Sequence, residues 1–418
     1  MTTPVMEHAA KRILRSPWLS ALVWLLALMP LYDIATHPEL FQWDFGLYYS
    51  AAMTADLGLD PYDYALRNSI HYSPNMEFLY PPLTLYLFRP FTSLSYDGAY
   101  LLWFTLKLLA LVVLLILWHR KFEALNERYP LALFLLLAFS ATIYKDFAAG
   151  NISVFEQLVV WLGFAFFVER RYVLFGLCIA LVAQFKLQPV AFLGLLLIVE
   201  DRPKWRSFGA SIGAWLALLS LNYLLQPALM QPFVARMMSG SGNLYELGAN
   251  NPSILALIRE VTSVVSKRLY DLPAQTDMIL YLVAAIGIVI VFLYCFIAYR
   301  KRNPDYDVRI LVYASCFVFA VAAARMKDYS YILCILPTLA MLRRWKTRLD
   351  LMPVVLVLVC APAVTTYSLP YFTKISSLIH AYLPWLAAGV MLVLCLDEFR
   401  KSRGVSGPPP AQADPSRT

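Results

Sequence analysis

Charged residues are scarce in this chain of 418 residues, since Asp, Glu, Lys and Arg together make up only 15% of it. Soluble domains contain about 25%. Apolar residues take their place at 60% of the chain, which is more than one buried core can absorb. The composition therefore excludes a soluble enzyme, a disordered chain and a coiled coil, and it indicates a protein that crosses a membrane several times.

Residues able to ligate a metal or to form disulfides are also few. The six cysteines all lie inside apolar runs, and the five histidines are scattered along the chain without forming a cluster. Neither the spacing of a zinc knuckle nor that of a disulfide-rich loop occurs. We therefore expect no disulfide framework, no metal site and no cofactor.

Apolar runs close to the roughly 20 residues that a membrane span requires recur along the chain. Because backbone N–H and C=O groups in lipid must be paired within their own segment, each run is expected to be a helix. We predict an all-α polytopic membrane protein with about twelve transmembrane helices. The runs cover residues 17–32, 99–118, 131–144, 152–168, 172–185, 187–199, 208–225, 278–299, 309–324, 329–342, 351–369 and 381–396.

Basic residues orient these spans. With the N-terminus in the cytoplasm, the inner segments carry most of the 35 lysines and arginines, in agreement with the positive-inside rule. The net charge of +8 is then a topology signal rather than a nucleic-acid-binding surface. No A-x-A-like cleavage site follows the first run, so we expect an uncleaved span and a multi-pass cell-membrane protein with both termini cytoplasmic.

The domain organisation follows from these spans. Residues 1–400 are expected to form one transmembrane domain with two long outer segments, 33–97 and 226–277, and the Pro-rich tail 404–418 is expected to be a disordered cytoplasmic segment. In the first outer segment, DFGLYYSAAMTADLG has apolar residues at i, i+3, i+4 and i+7. This spacing predicts a helix that lies on the outer membrane interface instead of crossing it.

Three tight hairpins bring cations to the outer side. The turns between spans three and four, five and six, and nine and ten carry Lys145, Lys186, and Arg325 with Lys327. Spans five and six are short, so their turn must lie at membrane depth, where a charge is expensive and therefore a functional candidate. Several cations near lipid indicate an anionic amphiphile, such as a phosphate with an apolar chain.

Aromatic and polar residues near these cations suit a sugar. Together with the cations they predict glycosyl transfer from a lipid-phosphate sugar at the outer face. Such a reaction needs a base for the acceptor hydroxyl, and Asp44, at the start of the predicted interfacial helix, is the best-placed carboxylate. Phosphate is a good leaving group, so the cations need only stabilise its developing charge. The residues that suit the sugar are Trp43, Tyr48, Tyr49, Tyr80 and Asn251.

The first outer segment resembles the first extracytoplasmic loop of glycosyltransferase family 87. That family includes polyprenyl-phosphate-mannose-dependent α-mannosyltransferases of actinobacteria. The stretches GNISVFEQLVVWLGFAF, FKLQPVAFLGLLL with DRPKWR, and NNPSILALIR are similar to later segments of the family, in the same order. The residues that match in the first loop are Asp44, Tyr48, Gly58, Pro61, Tyr62, Tyr80, Pro81 and Pro82.

The resemblance implies a GT-C type bundle and metal-independent, inverting transfer of a hexose, with mannose as the expected sugar, from a polyprenyl phosphate to a lipid-linked or cell-envelope glycan acceptor. It implies Asp44 as general base and Lys186, Arg325 and Lys327 as ligands of the donor phosphate. Many family members carry a His-containing turn after the ninth span, where this chain has RMKDYSYILCILP. The further substrate-binding candidates are Tyr48, Tyr80, Asn151, Asn251, Ser253, Arg259, Asp328 and Tyr329.

Two other functions are compatible with the composition. A transporter or a lipid or glycolipid flippase often has twelve spans, but no two-half repeat is detectable here and the long first loop has no transport role. A ligase that joins a whole glycan to an acceptor would use a similar donor. The product therefore distinguishes the three.

Several candidate residues also have structural interpretations. Asp44 could cap its helix, and Lys186 could reach the interface as an ordinary span end. Asn251 and Ser253 could cap the helix that follows them.

The remaining charged residues have structural interpretations of the same kind. Arg325, Lys327 and Asp328 could pair among themselves. Lys107 and Glu156, which lie inside predicted spans, are expected to form a buried pair or to face the interface.

Overall fold

The computed structural model describes residues 17–37, 40–70, 76–122, 128–238, 246–268, 273, 275–344, 352–361 and 380–401. Within these ranges, all regular secondary structure is helical. The tail 404–418 lies outside the described residues. So do residue 351 and residues 362–369 of the predicted span 351–369.

The described residues between 17 and 225 contain ten α-helices. They are α1 (Pro17–Thr36), α2 (Trp43–Asp56), α3 (Tyr64–Ile70), α4 (Leu85–Phe88), α5 (Tyr96–Phe122), α6 (Arg128–Ala149), α7 (Ser153–Val168), α8 (Tyr172–Val182), α9 (Leu195–Ile198) and α10 (Trp205–Leu225).

The second half continues with α11 (Pro227–Met238), α12 (Ile254–Arg268), α13 (Thr276–Arg302), α14 (Val308–Ala322), α15 (Ile332–Arg344), α16 (Met352–Cys360) and α17 (Leu383–Lys401). Short 3₁₀ segments connect several of them, at Pro82–Thr84, Arg89–Ser93, Gln188–Gly194, Gly248–Asn250 and Asp328–Tyr331.

Membrane-crossing helices are present, although fewer than twelve qualify by length and composition. Among the described residues, α5, α10 and α13 are long and apolar enough to span a bilayer. A fourth candidate is the pair Phe134–Ala149 and Ser153–Val168, which bends by 119° at a short break. The protein is thus a helical membrane protein, and the count of twelve spans stays a prediction.

Helix α2 forms where the spacing predicts a helix, but its surroundings differ from the prediction. A helix on an interface buries one face, whereas ten of the fourteen residues of α2 are buried. Phe45 stacks on Trp103 of α5 at 5.4 Å between ring centroids, and Tyr48 stacks on Phe88 at 4.6 Å. Aromatic packing on several sides therefore makes α2 the core of the outer segment.

The turn between α6 and α7 reverses the chain direction beside the cavity described below. Gly150, at φ +67°, ends α6, where the N–H of Gly150 donates to Phe147 O and that of Asn151 donates to Asp146 O. This is a Schellman motif. The side chains of Trp103 and Lys107 donate to the carbonyls of Gly150 and Asn151 at 2.9 and 2.7 Å, which fixes the turn against α5.

Candidate active site

A cavity of about 480 Å³ opens between the first outer segment, the α6–α7 turn, residues 183–188 and residues 324–330. Its volume is within the range of small-molecule sites. Residues far apart in the chain meet here because three connections between helices lie next to α2. The predicted site residues that line the cavity are Asp44, Tyr48, Tyr80, Asn151, Lys186, Arg325, Lys327 and Tyr329.

Asp44 is almost fully buried in the first turn of α2, with 3% of its surface exposed. Asn151 Nδ2 donates a hydrogen bond of 2.6 Å to Asp44 Oδ2. Burial raises the pKa of Asp44 above its ordinary value, while the hydrogen bond from Asn151 and the charges of Lys327, Lys107 and Lys186 oppose the rise. A carboxylate with a raised pKa is a stronger base, and this one is also held in a single orientation. No cap hydrogen bond is made at the start of α2, so the capping role for Asp44 is not what the structure shows.

The orientation of Asn151 is set by Ser153. The backbone N–H and the hydroxyl of Ser153 both donate to Asn151 Oδ1, at 3.0 and 2.8 Å. The amide NH₂ of Asn151 must therefore face Asp44 and Tyr48. Asn151 was predicted to bind substrate, and here it contacts the carboxylate of Asp44 directly.

Tyr48 and Tyr80 add two hydroxyls to the same wall. Their oxygens lie 3.0 Å apart, and Tyr48 also accepts a hydrogen bond of 3.2 Å from Asn151. Burial raises the pKa of both phenols. Both therefore stay protonated. Because one of the two hydroxyls donates to the other, one O–H is left to donate to a hydroxyl of a sugar.

Lys186 approaches the cavity from the turn after α8. Its Nζ donates to Glu156 Oε2 at 2.5 Å and to Ser153 Oγ at 2.7 Å, and it lies 5.4 Å from the centre of the Tyr329 ring. The partner of Glu156 is thus Lys186 and not Lys107. The proposed interface role of Lys186 as an ordinary span end is wrong, since its ammonium is held inside the protein with 19% of the side chain exposed.

Arg325 and Lys327 share one carboxylate, that of Glu246. Arg325 Nη2 lies 3.0 Å from Glu246 Oε2, and Lys327 Nζ lies 2.6 Å from both carboxylate oxygens. The interpretation in which these cations pair with Asp328 is therefore wrong, because Asp328 pairs with Lys145 at 3.2 Å.

Four predicted substrate-binding residues do not line the described part of the cavity: Asn251, Ser253, Arg259 and Asp328. Asn251 Oδ1 accepts from Met326 N at 2.9 Å, and Ser253 Oγ donates to Ala324 O at 2.9 Å. Arg259 is paired with Asp277 at 2.6 Å. The first two residues therefore support the turn that carries Arg325 and Lys327, and Arg259 supports the outer segment.

A buried ion pair beneath the site was missed from the sequence. Lys107 and Asp146 are both fully buried, with 2.8 Å between Nζ and Oδ2. Lys107 also donates to the carbonyls of Asp146 and Asn151. Through these two hydrogen bonds and the ion pair, Lys107 fixes the turn that bears Asn151. From the sequence, Lys107 was expected to pair with Glu156 or to face the interface, whereas in the structure its partner is Asp146.

Glu246 was also missed. Its segment, LYELG, has no helical or strand periodicity. Only the return of the second outer segment to residues 324–327 reveals its partners. Among the described residues, no group of three or more His, Cys, Asp or Glu side chains is placed to hold a metal ion.

Comparison with known protein families gives one match. The family model described as Glycosyltransferase family 87 matches residues 78–324. The match covers the walls formed by Tyr80, Asn151 and Lys186, while Asp44 precedes it and Arg325 to Tyr329 follow it. No curated protein matches the chain.

Proposed function

The chain belongs to glycosyltransferase family 87, and from this premise we propose that it transfers a mannose residue from a polyprenyl phosphate to a lipid-linked or envelope glycan acceptor. Family membership makes it a membrane glycosyltransferase. The identity of the donor, the inverting mechanism and the extracytoplasmic position of the site are parts of the proposal. The observation that carries it is one cavity that contains an oriented, buried carboxylate and three cations.

The proposed reaction is a single displacement. Asp44 takes the proton of the acceptor hydroxyl, and the resulting oxygen bonds to the anomeric carbon of the donor sugar. The bond from that carbon to the phosphate oxygen breaks, and its electron pair stays on the phosphate. Lys186, Arg325 and Lys327 would stabilise the charge that develops there, and attack from the opposite side would invert the anomeric centre.

Sugar binding is assigned to the aromatic wall of the cavity. Tyr48 and Tyr80 present protonated hydroxyls, and Tyr329 lines the same cavity beside Lys186. Hydrogen bonds from such donors orient a hexose, and aromatic rings pack on its apolar face. These residues support a hexosyl donor, and mannose rests on the family resemblance.

A second cavity supports a donor with a long apolar chain. It measures about 530 Å³ and is lined by mostly apolar residues of the segment 188–198, of α13 and of α14. Gln188 and Ala324 line both cavities. An apolar chain attached to a phosphate near Lys186 could therefore continue past Gln188 and Ala324 into this space.

The direct test uses purified protein in detergent, radiolabelled polyprenyl-phosphate mannose and an extract of envelope glycolipids. We expect the label in a new glycolipid whose mass has increased by one hexose. A product enlarged by a whole glycan would indicate a ligase instead. Movement of labelled lipid across vesicles without a new bond would indicate a transporter, and either result contradicts the proposal.

A further inference from the structure

Glu246 pairs with Arg325 and Lys327, two of the three cations that bind the leaving phosphate in the proposed reaction. Its two carboxylate oxygens lie 2.6 Å from Lys327 Nζ, and one lies 3.0 Å from Arg325 Nη2. Both cations line the cavity of Asp44. A carboxylate with two oxygens toward an ammonium and a guanidinium is arranged as a phosphate would be.

Two carboxylates pair with the cations of the cavity, and they differ in how easily they can move away from those cations. Glu156, beside Lys186, is 7% exposed in its side chain, whereas Glu246 is 28% exposed. Partly exposed ion pairs contribute little to stability because water solvates the separated charges. Glu246 can therefore turn to solvent at small cost, while Glu156 stays with Lys186.

The backbone of Glu246 is held although its side chain is partly exposed. Asn251 Nδ2 donates to Glu246 O at 3.0 Å, and Asn251 Oδ1 accepts from Met326 N. The carboxylate is thus tethered beside the turn of Arg325 and Lys327 and can return to it after any departure.

We propose that Glu246 is an internal counter-ion that fills the phosphate site of the empty enzyme, yields to the donor phosphate and returns to displace the product. The inference rests on the proposed function. A sugar-bearing phosphodiester carries one negative charge, whereas the phosphate monoester left after transfer carries about 1.5 to 2 at neutral pH. Competition from Glu246 would weaken binding of both and would matter most for release of the monoester, which the cations hold more strongly.

The test compares Glu246→Gln with Asp277→Asn in full-length protein in detergent. Asp277 is the matched control, since it pairs with Arg259 at 2.6 Å with similar exposure. The probes are farnesyl phosphate, a phosphate monoester, and uncharged farnesol. We expect Glu246→Gln to lower the Kd for farnesyl phosphate about tenfold, within the usual range of coupling between two ligands, and to leave the Kd for farnesol unchanged.

The same variant gives a kinetic signature. We expect a lower KM for the donor, stronger inhibition by farnesyl phosphate and a lower kcat, because product release becomes slower. Asp277→Asn should change none of these values. An unchanged or weaker affinity for farnesyl phosphate in a folded Glu246→Gln protein overturns the proposal.

If Glu246→Gln does not fold, Glu246→Asp tests the same step, because it keeps the charge but shortens the side chain that reaches Arg325 and Lys327. Glu246→Asp should bind farnesyl phosphate more tightly than the unmodified protein does, and an unchanged affinity overturns the proposal. Binding of farnesyl phosphate with the tenfold effect, but without sugar transfer to any acceptor, would refute the proposed function alone. Sugar transfer without the effect would refute the role of Glu246 alone.

Discussion

At the scale of single residues, the proposed chemistry depends on how Asp44 is held. Burial alone would favour the protonated carboxyl, which cannot act as a base. The hydrogen bond from Asn151 and three nearby lysines favour the ionised form. Burial thus makes the carboxylate more basic. The neighbouring hydrogen bond and positive charges compensate for part of this effect and favour the ionised form that can accept a proton.

Asp44→Asn is expected to abolish transfer and to leave the protein folded. Loss of a general base costs about 10²–10⁴-fold in rate. The raised pKa means that the folded protein binds this proton more tightly than the unfolded chain does. Ionised Asp44 therefore costs stability as pH rises from its unfolded pKa through its folded pKa, and the neutral amide removes that cost. Product formation and Tm should be measured together.

Asp33→Asn is the matched control, since its carboxylate lies in the same outer segment with 55% of its side chain exposed. It should retain full activity. Full activity of Asp44→Asn would remove Asp44 from the mechanism.

Asn151→Ala is expected to shift the acidic limb of the pH–rate profile to higher pH. The variant removes a hydrogen bond of 2.6 Å to the ionised carboxylate, so the pKa of Asp44 should rise further. Activity that requires ionised Asp44 would then be lost at a higher pH as the pH falls. A lower rate with an unchanged profile would show that Asn151 contacts substrate without tuning Asp44.

At the scale of elements, the site depends on the turn between α6 and α7. This turn places Asn151 beside α2, and its geometry leaves room only for glycine at position 150. A Cβ there would lie 2.8 Å from Gln42 Cβ and 2.9 Å from Gln42 Cα. The close approach lets Gln42 N donate a hydrogen bond of 2.5 Å to Ala148 O. This bond holds the start of α2 against the end of α6.

Gly150→Ala is expected to lower both activity and Tm. A residue with a side chain at φ +67° costs about 1–3 kcal/mol, and the contact with the Gln42 backbone forces α2 away from the turn. Gly287→Ala is the control, because a Cβ there meets nothing within 4 Å. Unchanged Tm and activity in Gly150→Ala would show that the turn can adapt.

The buried pair Lys107–Asp146 connects α5 to the same turn. Lys107→Met is expected to destabilise the protein by about 3–5 kcal/mol, because it leaves Asp146 charged and unpaired in the interior. The double variant Lys107→Met with Asp146→Leu should recover part of the lost Tm. It should not recover the activity fully, since the bond from Lys107 to Asn151 O is missing in both. Additive losses in the double variant would argue against direct coupling.

At the scale of the whole molecule, the described helices form two cores. The larger one joins α1 and α5 to α10 with α13 to α17, and the smaller one joins the first outer segment to the start of α5. The cavity lies where the two cores meet, so its walls come from both. A site at this junction can take a polar head from one side and an apolar chain from the other.

The predicted orientation, with both termini in the cytoplasm, implies which surfaces a reagent can reach. Leu57→Cys, at a position 63% exposed on the outer segment, should react with a membrane-impermeant maleimide on intact cells. Asp201→Cys, at a side chain 92% exposed after α9, should react only after the cells are opened. Labelling of the unmodified protein is the control for its own six cysteines. The reverse labelling pattern would contradict the predicted orientation.

Hydropathy and periodicity alone determined the membrane class, the helical character of most of the described parts of the predicted runs and the helix that carries Asp44. These are properties of neighbouring residues, so they can be derived from a linear sequence. The resemblance to the family likewise rests on short local motifs, and the family match confirms it.

The partners of the charged residues were decided only by the tertiary structure. Asp44 meets Asn151 across 107 residues, Lys107 meets Asp146, and Lys327 meets Glu246 across 81 residues. A sequence shows that a buried charge needs a partner but not which one, because the choice depends on how the helices pack. For that reason the sequence offered Asn251 and Ser253 both as substrate contacts and as caps of the following helix. In the structure Ser253 Oγ accepts from Ala256 N, as a cap does, and both residues also hold the turn of Arg325 and Lys327.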